Sequence, residues 1–366
     1  MKKSLLWIVV LMLSISVVAT FSLAGCEKAV EEVEEAVEEV EEVVEEVVEE
    51  VEEVEEVVAP GTYKMKIGHT HGTDMPRHLS LLFFEQLVEK NSEGAIDVEI
   101  YPSGQLGTET EMLESVKTRA LEGARVGCFD LVTQQLTLYL MPFLFDKADD
   151  FVEIARGPIG DEIAASALDQ GLVVLATGDA GGFRQWTNNV RPIVVPEDIV
   201  GLKMRTPPVD AIIKIMEALE ANPVSIAYVE LYMALKTGVA DGEENPVVNI
   251  CDKKFYEVQK YITMVNYQIH PDPFIVNPDW LNALPAYLKD IVVDAGKESM
   301  KYSDTLMQTK EAAGISIIEE NMEVTTLTKE QKQVFIDKCA PVYDFYIDEG
   351  WFTEDLLQRV RDQLAD

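Results

Sequence analysis

The chain has 366 residues, more than one compact core usually holds, and its 47% hydrophobic content excludes wholesale disorder. Its formal net charge of −36 excludes a nucleic-acid partner, which needs a basic face to meet phosphates. A field that acidic cannot gather anions either, so an anionic ligand must be held by individual Arg or Lys side chains in a pocket.

Lys2 and Lys3 precede an apolar stretch from Leu5 to about Val18, which ends in Leu23-Ala24-Gly25-Cys26. A charged start, a short apolar core and small residues before a cut site describe a secretory signal. The ending resembles a bacterial lipobox, which implies that residues 1–25 are removed and that Cys26 is lipidated. The apolar run is short for a span of ~20 residues, so a lipoprotein is favoured over an uncleaved membrane anchor.

Residues 27–58 hold 17 Glu and one Lys, and residues 59–366 still carry a net charge of −22. Val30, Val37, Val44, Val51 and Val58 alternate with Val33, Val40, Val47 and Val54 as the a/d seam of a heptad. Nearly every other position is Glu, so paired helices repel. An extended or fluctuating helical spacer over 26–60 is favoured over a coiled coil. Ala59-Pro60-Gly61 closes the segment with strong breakers, and the folded part begins there.

Tyr63, Met65 and Ile67 alternate as a first strand, followed by the loop Gly68–Thr73. Helical spacing follows in Leu79, Leu82, Phe83 and Leu87. Ile96, Val98 and Ile100 alternate as a second strand, and a helix is expected from Glu109 through Lys117. Leu172–Ala176 is a continuous apolar run, the pattern of a buried strand. Strands alternating with helices to residue ~250 predict α/β layers. Thr328–Gln331 is a capping box opening a helix, and the last hundred residues read as mainly helical.

No nucleotide-binding glycine loop, nucleophile elbow or HExxH zinc motif is present. His69, His71, His78 and His270 are too few and scattered to suggest a metal cluster. Cys128, Cys251 and Cys339 cannot all pair. Buried free thiols and one disulfide are both compatible with an exported chain. Nothing marks a catalytic group, a metal or a cofactor.

From Gly181 to Pro246 the sequence becomes specific. Gly182-Phe183-Arg184-Gln185-Trp186-Thr187-Asn188 is followed by Pro196–Pro207, then by Glu230–Leu235 and Asp241-Gly242-Glu243-Glu244-Asn245-Pro246. This succession, with Pro102–Gly107, Met141–Phe145 and Trp280–Pro285, resembles the DctP-type solute-binding proteins of TRAP transporters (tripartite ATP-independent periplasmic transporters). The resemblance covers essentially all of 62–366.

The resemblance implies a two-lobe periplasmic-binding-protein-like fold with a hinge, a ligand cleft between lobes and a helical C-terminal part. Lobe one is expected over 61–181 and 271–310, lobe two over 182–270 and 311–366. It implies capture of a small organic carboxylate by hinge closure, delivery to TRAP membrane subunits, no catalysis, and residence outside the cytoplasmic membrane on the lipid anchor. Arg205, at the end of a short strand before Pro207, matches the arginine that grips the carboxylate bidentately. Arg184 and Asn245 match two further ligand contacts. Tyr228 falls where an aromatic often covers the ligand, with core packing an equal rival. Trp186 reads as core or pocket wall. Thr70 and His71 are also candidates, and Arg125 is a candidate second cation for a dicarboxylate. Two rival readings are a same-fold sensor for a signalling kinase and a structural surface lipoprotein assembled by the valine heptads.

Overall fold

The computed structural model describes residues 58–365; the signal segment, Cys26 and most of the Glu/Val spacer lie outside the described residues. Alternation of buried Met65 and Ile67 with outward Lys64 and Lys66 produces strand β1 (Tyr63–Gly68), as expected. β2 (Ile96–Tyr101) lies parallel to it in full register, across the helix Pro76–Asn91. β3 (Gly123–Arg125) adds on the other side of β1.

Next in the chain comes β4 (Val173–Asn188), the strand that organises the molecule. The sequence reading stopped it at Ala176, but it runs for 16 residues. Its first half pairs antiparallel with β9 (Ile269–Val276), and its second half pairs with β7 (Gly242–Pro246) and β8 (Tyr261–Met264). Between the halves the register with β9 shifts, from Asp179 to Phe183, where Gly182 takes φ +84°. Only glycine adopts that conformation cheaply.

β5 (Lys203–Thr206) and β6 (Asn222–Ser225) extend the second half as parallel strands beside β7, and β10 (Glu323–Thr326) pairs with β8. The sheet therefore reads β2-β1-β3-β9-β4-β7-β5-β6, with β8 and β10 branching from β4. Helices cover it in the α/β manner.

The 36-residue helix Ala286–Asn321 packs on Pro76–Asn91, on β4 and on the short helix Val247–Asp252. The capping box at Thr328 starts the helix Lys329–Cys339, and the helices Pro341–Asp348 and Glu354–Ala365 follow; β10 is the exception in this otherwise helical part. Cys128, Cys251 and Cys339 are all free thiols, and Cys128 and Cys339 are buried. Among the described residues no helix is long and apolar enough to cross a membrane.

Candidate functional site

The C-terminal ends of β1, β5 and β7 converge on two adjoining hollows that share Glu109, Gly127, Pro207 and Tyr228 as lining. Strand C-termini are where α/β sheets present groups to ligands, because the pairing that fixes the backbone ends there and the loops begin.

β5 delivers Arg205, which is 1% exposed. Its Nε donates to the Ile226 carbonyl at 2.8 Å, which orients the guanidinium. Its Nη2 is buried and has no hydrogen-bond partner among the described residues. Burial lowers the pKa to about 10, against the pull of the Glu244, Glu243 and Glu109 carboxylates, so the group remains a cation at neutral pH. A buried cation with an uncommitted donor facing a cavity is costly unless an anion comes to it.

Arg184 lines the same hollow but is already committed. It donates through Nε and Nη2 to both carboxylate oxygens of Glu244, and Nη2 also reaches the Glu244 carbonyl at 2.8 Å. Burial opposes its charge, yet the Glu244 carboxylate outweighs that and holds the pKa above its ordinary value. Tyr267 donates a third bond to the Glu244 carboxylate at 2.6 Å, so that carboxylate is fully engaged.

Asn245 lines this hollow from β7, with its amide held by the Glu243 carboxylate at 2.5 Å. Glu243 is buried and also accepts from Thr187 at 2.8 Å. Burial pushes its carboxyl up to about 7, against those hydrogen bonds.

The opposite wall comes from the first strand and from the helix Glu109–Lys117. Thr108 and Glu111 cap this helix reciprocally, which pins its first residue, Glu109, at the cavity edge. Glu109 accepts from Thr70 Oγ1 at 3.0 Å and from Arg77 Nη1 at 3.2 Å. His71 packs against Tyr228, with ring centroids 5.7 Å apart, and burial lowers its pKa well below the ordinary value, so it is neutral. Beyond the lining, Lys253 donates to the Thr70 carbonyl at 3.3 Å, and Asp130 accepts from the Asp210 amide at 3.2 Å.

The structure thus gathers Arg205, Arg184, Asn245, Tyr228, Thr70 and His71 around one cavity. It does not bring Trp186 or Arg125 there. Trp186 is fully buried against Tyr267 and Phe335, in the hydrophobic core. Arg125 is fully buried on β3, donating to Ser80, Ser303 and Asp272, so its charge is spent inside the fold. Asp272 also takes Arg77, which reaches Glu109, and through this chain Arg125 touches the cavity only indirectly. Sequence reasoning missed Glu109, Arg77 and Glu244. The Thr108-x-x-Glu111 capping pattern was the one signal that could have placed Glu109.

The chain matches the family model of bacterial extracellular solute-binding proteins, family 7, over residues 67–349, and belongs to that family. It is 31% identical over 287 residues to the C4-dicarboxylate-binding periplasmic protein DctP of Rhodobacter capsulatus, covering 76% of this chain and 85% of that one. The fold is similar to a TRAP periplasmic solute-binding protein from Sulfurospirillum deleyianum with bound succinate, at TM-score 0.77 and 28% identity, covering 82% and 98% of the two chains. It is equally similar to the sugar acid binding protein DctPAm of Advenella mimigardefordensis in complex with galactonate, at TM-score 0.78 and 25% identity, covering 84% and 98%. The two-lobe α/β architecture expected from the sequence is that of this family, whose members bind solutes and are not enzymes.

Proposed function

We propose that this protein captures a small organic carboxylate in the cleft at Arg205 and delivers it to the membrane subunits of a TRAP-type secondary transporter. The single observation that carries the reading is the buried Arg205 guanidinium, held by the Ile226 carbonyl at Nε and uncommitted at Nη2. A carboxylate arriving there completes a charge-assisted hydrogen bond in a site of low dielectric. The succinate and galactonate held by the two similar structures are both carboxylates, which supports the same class here.

Capture is a hinge motion of lobes 61–181 plus 271–310 and 182–270 plus 311–366. The glycine-broken centre of β4 supports a hinge there. Asn245 completes the grip, the Arg184 cation lines the pocket while held by Glu244, and Tyr228 covers the ligand. Cleavage before Cys26 and lipidation of its thiol hold the receptor on the outer face of the cytoplasmic membrane, and the Glu/Val segment acts as the spacer.

Thermal unfolding of the full chain against small organic acids, with amines, amides and sugars as controls, tests this. A ligand at 100 times its Kd adds about 2.7 kcal/mol of stability. A midpoint shift with one class of acid, abolished by Arg205→Ala, is the expected result. No shift across a broad acid panel would sink the proposal.

A further inference from the structure

The charged groups at and beside the cavity pair off except for Arg205 and Glu243, whose carboxyl is held only by the neutral Thr187 and Asn245. Arg184 is matched by Glu244, Lys253 by Asp252, and Arg77 and Arg125 together by Asp272 and Glu109. Among the described residues lining the cavity, Arg205 is the one cation with no carboxylate in contact. With Glu243 close to Arg205, the site can match one further negative charge at most.

The rest of the lining carries the second half of the case. Glu109 presents a carboxylate to both hollows; a Cβ on Gly127 would stand 2.9 Å from its Oε2. His71 Nδ1 and Asn249 Oδ1, in the hollow that holds Arg205, are buried without a hydrogen-bond partner among the described residues. They are neutral polar groups, one held uncharged by burial, and a buried polar atom without a partner is destabilising until a ligand group meets it. Such a wall suits uncharged hydroxyls, which can both donate and accept. It does not suit a second carboxylate, which would meet Glu109 and find no uncommitted cation.

We infer that the cavity selects a hydroxylated monocarboxylate against dicarboxylates, with Arg205 taking the carboxylate, Glu109 accepting a ligand hydroxyl and repelling a second anion, and His71 and Asn249 bonding further hydroxyls. This rests on the assignment of Arg205 as the carboxylate anchor.

Isothermal titration of the full chain tests it, with glycerate, erythronate, gluconate and glucuronate set against succinate and against hexanoate, which lacks hydroxyls. At least one hydroxy acid is expected to bind ten times more tightly than succinate and hexanoate. Glu109→Gln is expected to narrow the gap to succinate by about tenfold, since the amide still accepts a hydroxyl but no longer repels an anion. Succinate binding within tenfold of the best hydroxy acid in the unmodified protein overturns the inference while leaving the Arg205 anchor in place. So does a Glu109→Gln protein that folds and keeps the original ratio. If no acid binds at all, the anchor itself fails and this inference with it. Should Glu109→Gln not fold, the ratio in the unmodified protein decides alone.

Discussion

Arg184 and Glu244 meet across the antiparallel pair β4 and β7, and the carboxylate takes both Nε and Nη2 of the guanidinium. One strand over, Arg205 has no such partner. Two arginines in one cavity thus carry opposite burdens, one supporting the fold and one waiting for an anion.

Arg184→Ala leaves the Glu244 carboxylate buried with only the Tyr267 hydroxyl. A loss of about 3–5 kcal/mol of folding stability is expected in urea unfolding. Replacing both partners, Arg184→Met with Glu244→Leu, is expected to recover most of it, because no unpaired charge remains. Equal losses in the single and double variants would contradict the pairing.

Arg205→Lys keeps the charge but loses the planar fork and the Nε bond to Ile226. Acid binding is expected to weaken by at least tenfold in calorimetry while folding stability stays within about 1 kcal/mol. Unchanged affinity would show that a point charge suffices.

Glu243 ties the site to pH. Its carboxyl, pushed up to about 7, loses its proton as pH rises through that value and adds negative charge near Arg205. Acid affinity is expected to fall about threefold or more between pH 6 and 8.5. Glu243→Gln should flatten the profile, and a slope that survives the substitution assigns it elsewhere.

Asp179 ties stability to pH. It accepts from the Gly181 and Gly182 amides at 2.9 and 2.6 Å, yet burial pushes its carboxyl up to about 7, with Asp304 and Glu311 adding to the shift. Its ordinary value is about 3.9, so the fold holds the proton that the unfolded chain releases. That stabilisation is complete below pH ~4 and lost as pH rises through 7. Asp179→Asn keeps both amide bonds and is expected to exceed the parent by about 1–3 kcal/mol at pH 8, the gap closing toward pH 4. A pH-independent gap in chemical unfolding would reject the assignment.

Gly182→Ala probes the break in β4. Its Cβ would stand 2.8 Å from Glu311 Oε1, a flexible end that can move, so the backbone at φ +84° sets the cost. A loss of about 1 kcal/mol is expected in thermal unfolding. No loss would mean that the strand relaxes freely at this point.

Strong periodicity made much of the architecture readable in advance. Met65 and Ile67 in β1, Ile96 and Val98 in β2 and the capping box at Thr328 each bury or bond as their spacing required. β4 was cut short because the continuous apolar run ends at Ala176, whereas the strand continues through Gly181-Gly182 and serves both halves of the sheet. Arg205 was singled out chiefly by its match to the family's carboxylate-gripping arginine, at a strand end before proline, and it does line the cavity. Glu109 and Glu244 were not, because 66 acidic residues hide the few that matter and only long-range pairing selects them. Trp186 and Arg125 show the converse, since a large aromatic or a cation can be drawn into the core by partners far away in sequence.

The helix Ala286–Asn321 is about 54 Å long at 1.5 Å per residue. Near one end Gly296 lies against Leu175, and farther along Gly314 lies against Val247, each close enough that an added Cβ would crowd its neighbour. It is a beam held at one point by β4 and at another by the helix Val247–Asp252. In the proposed closure, rotation of one contact against the other would bend this helix, so a change in its stiffness is expected to alter how long a solute resides without touching the solute.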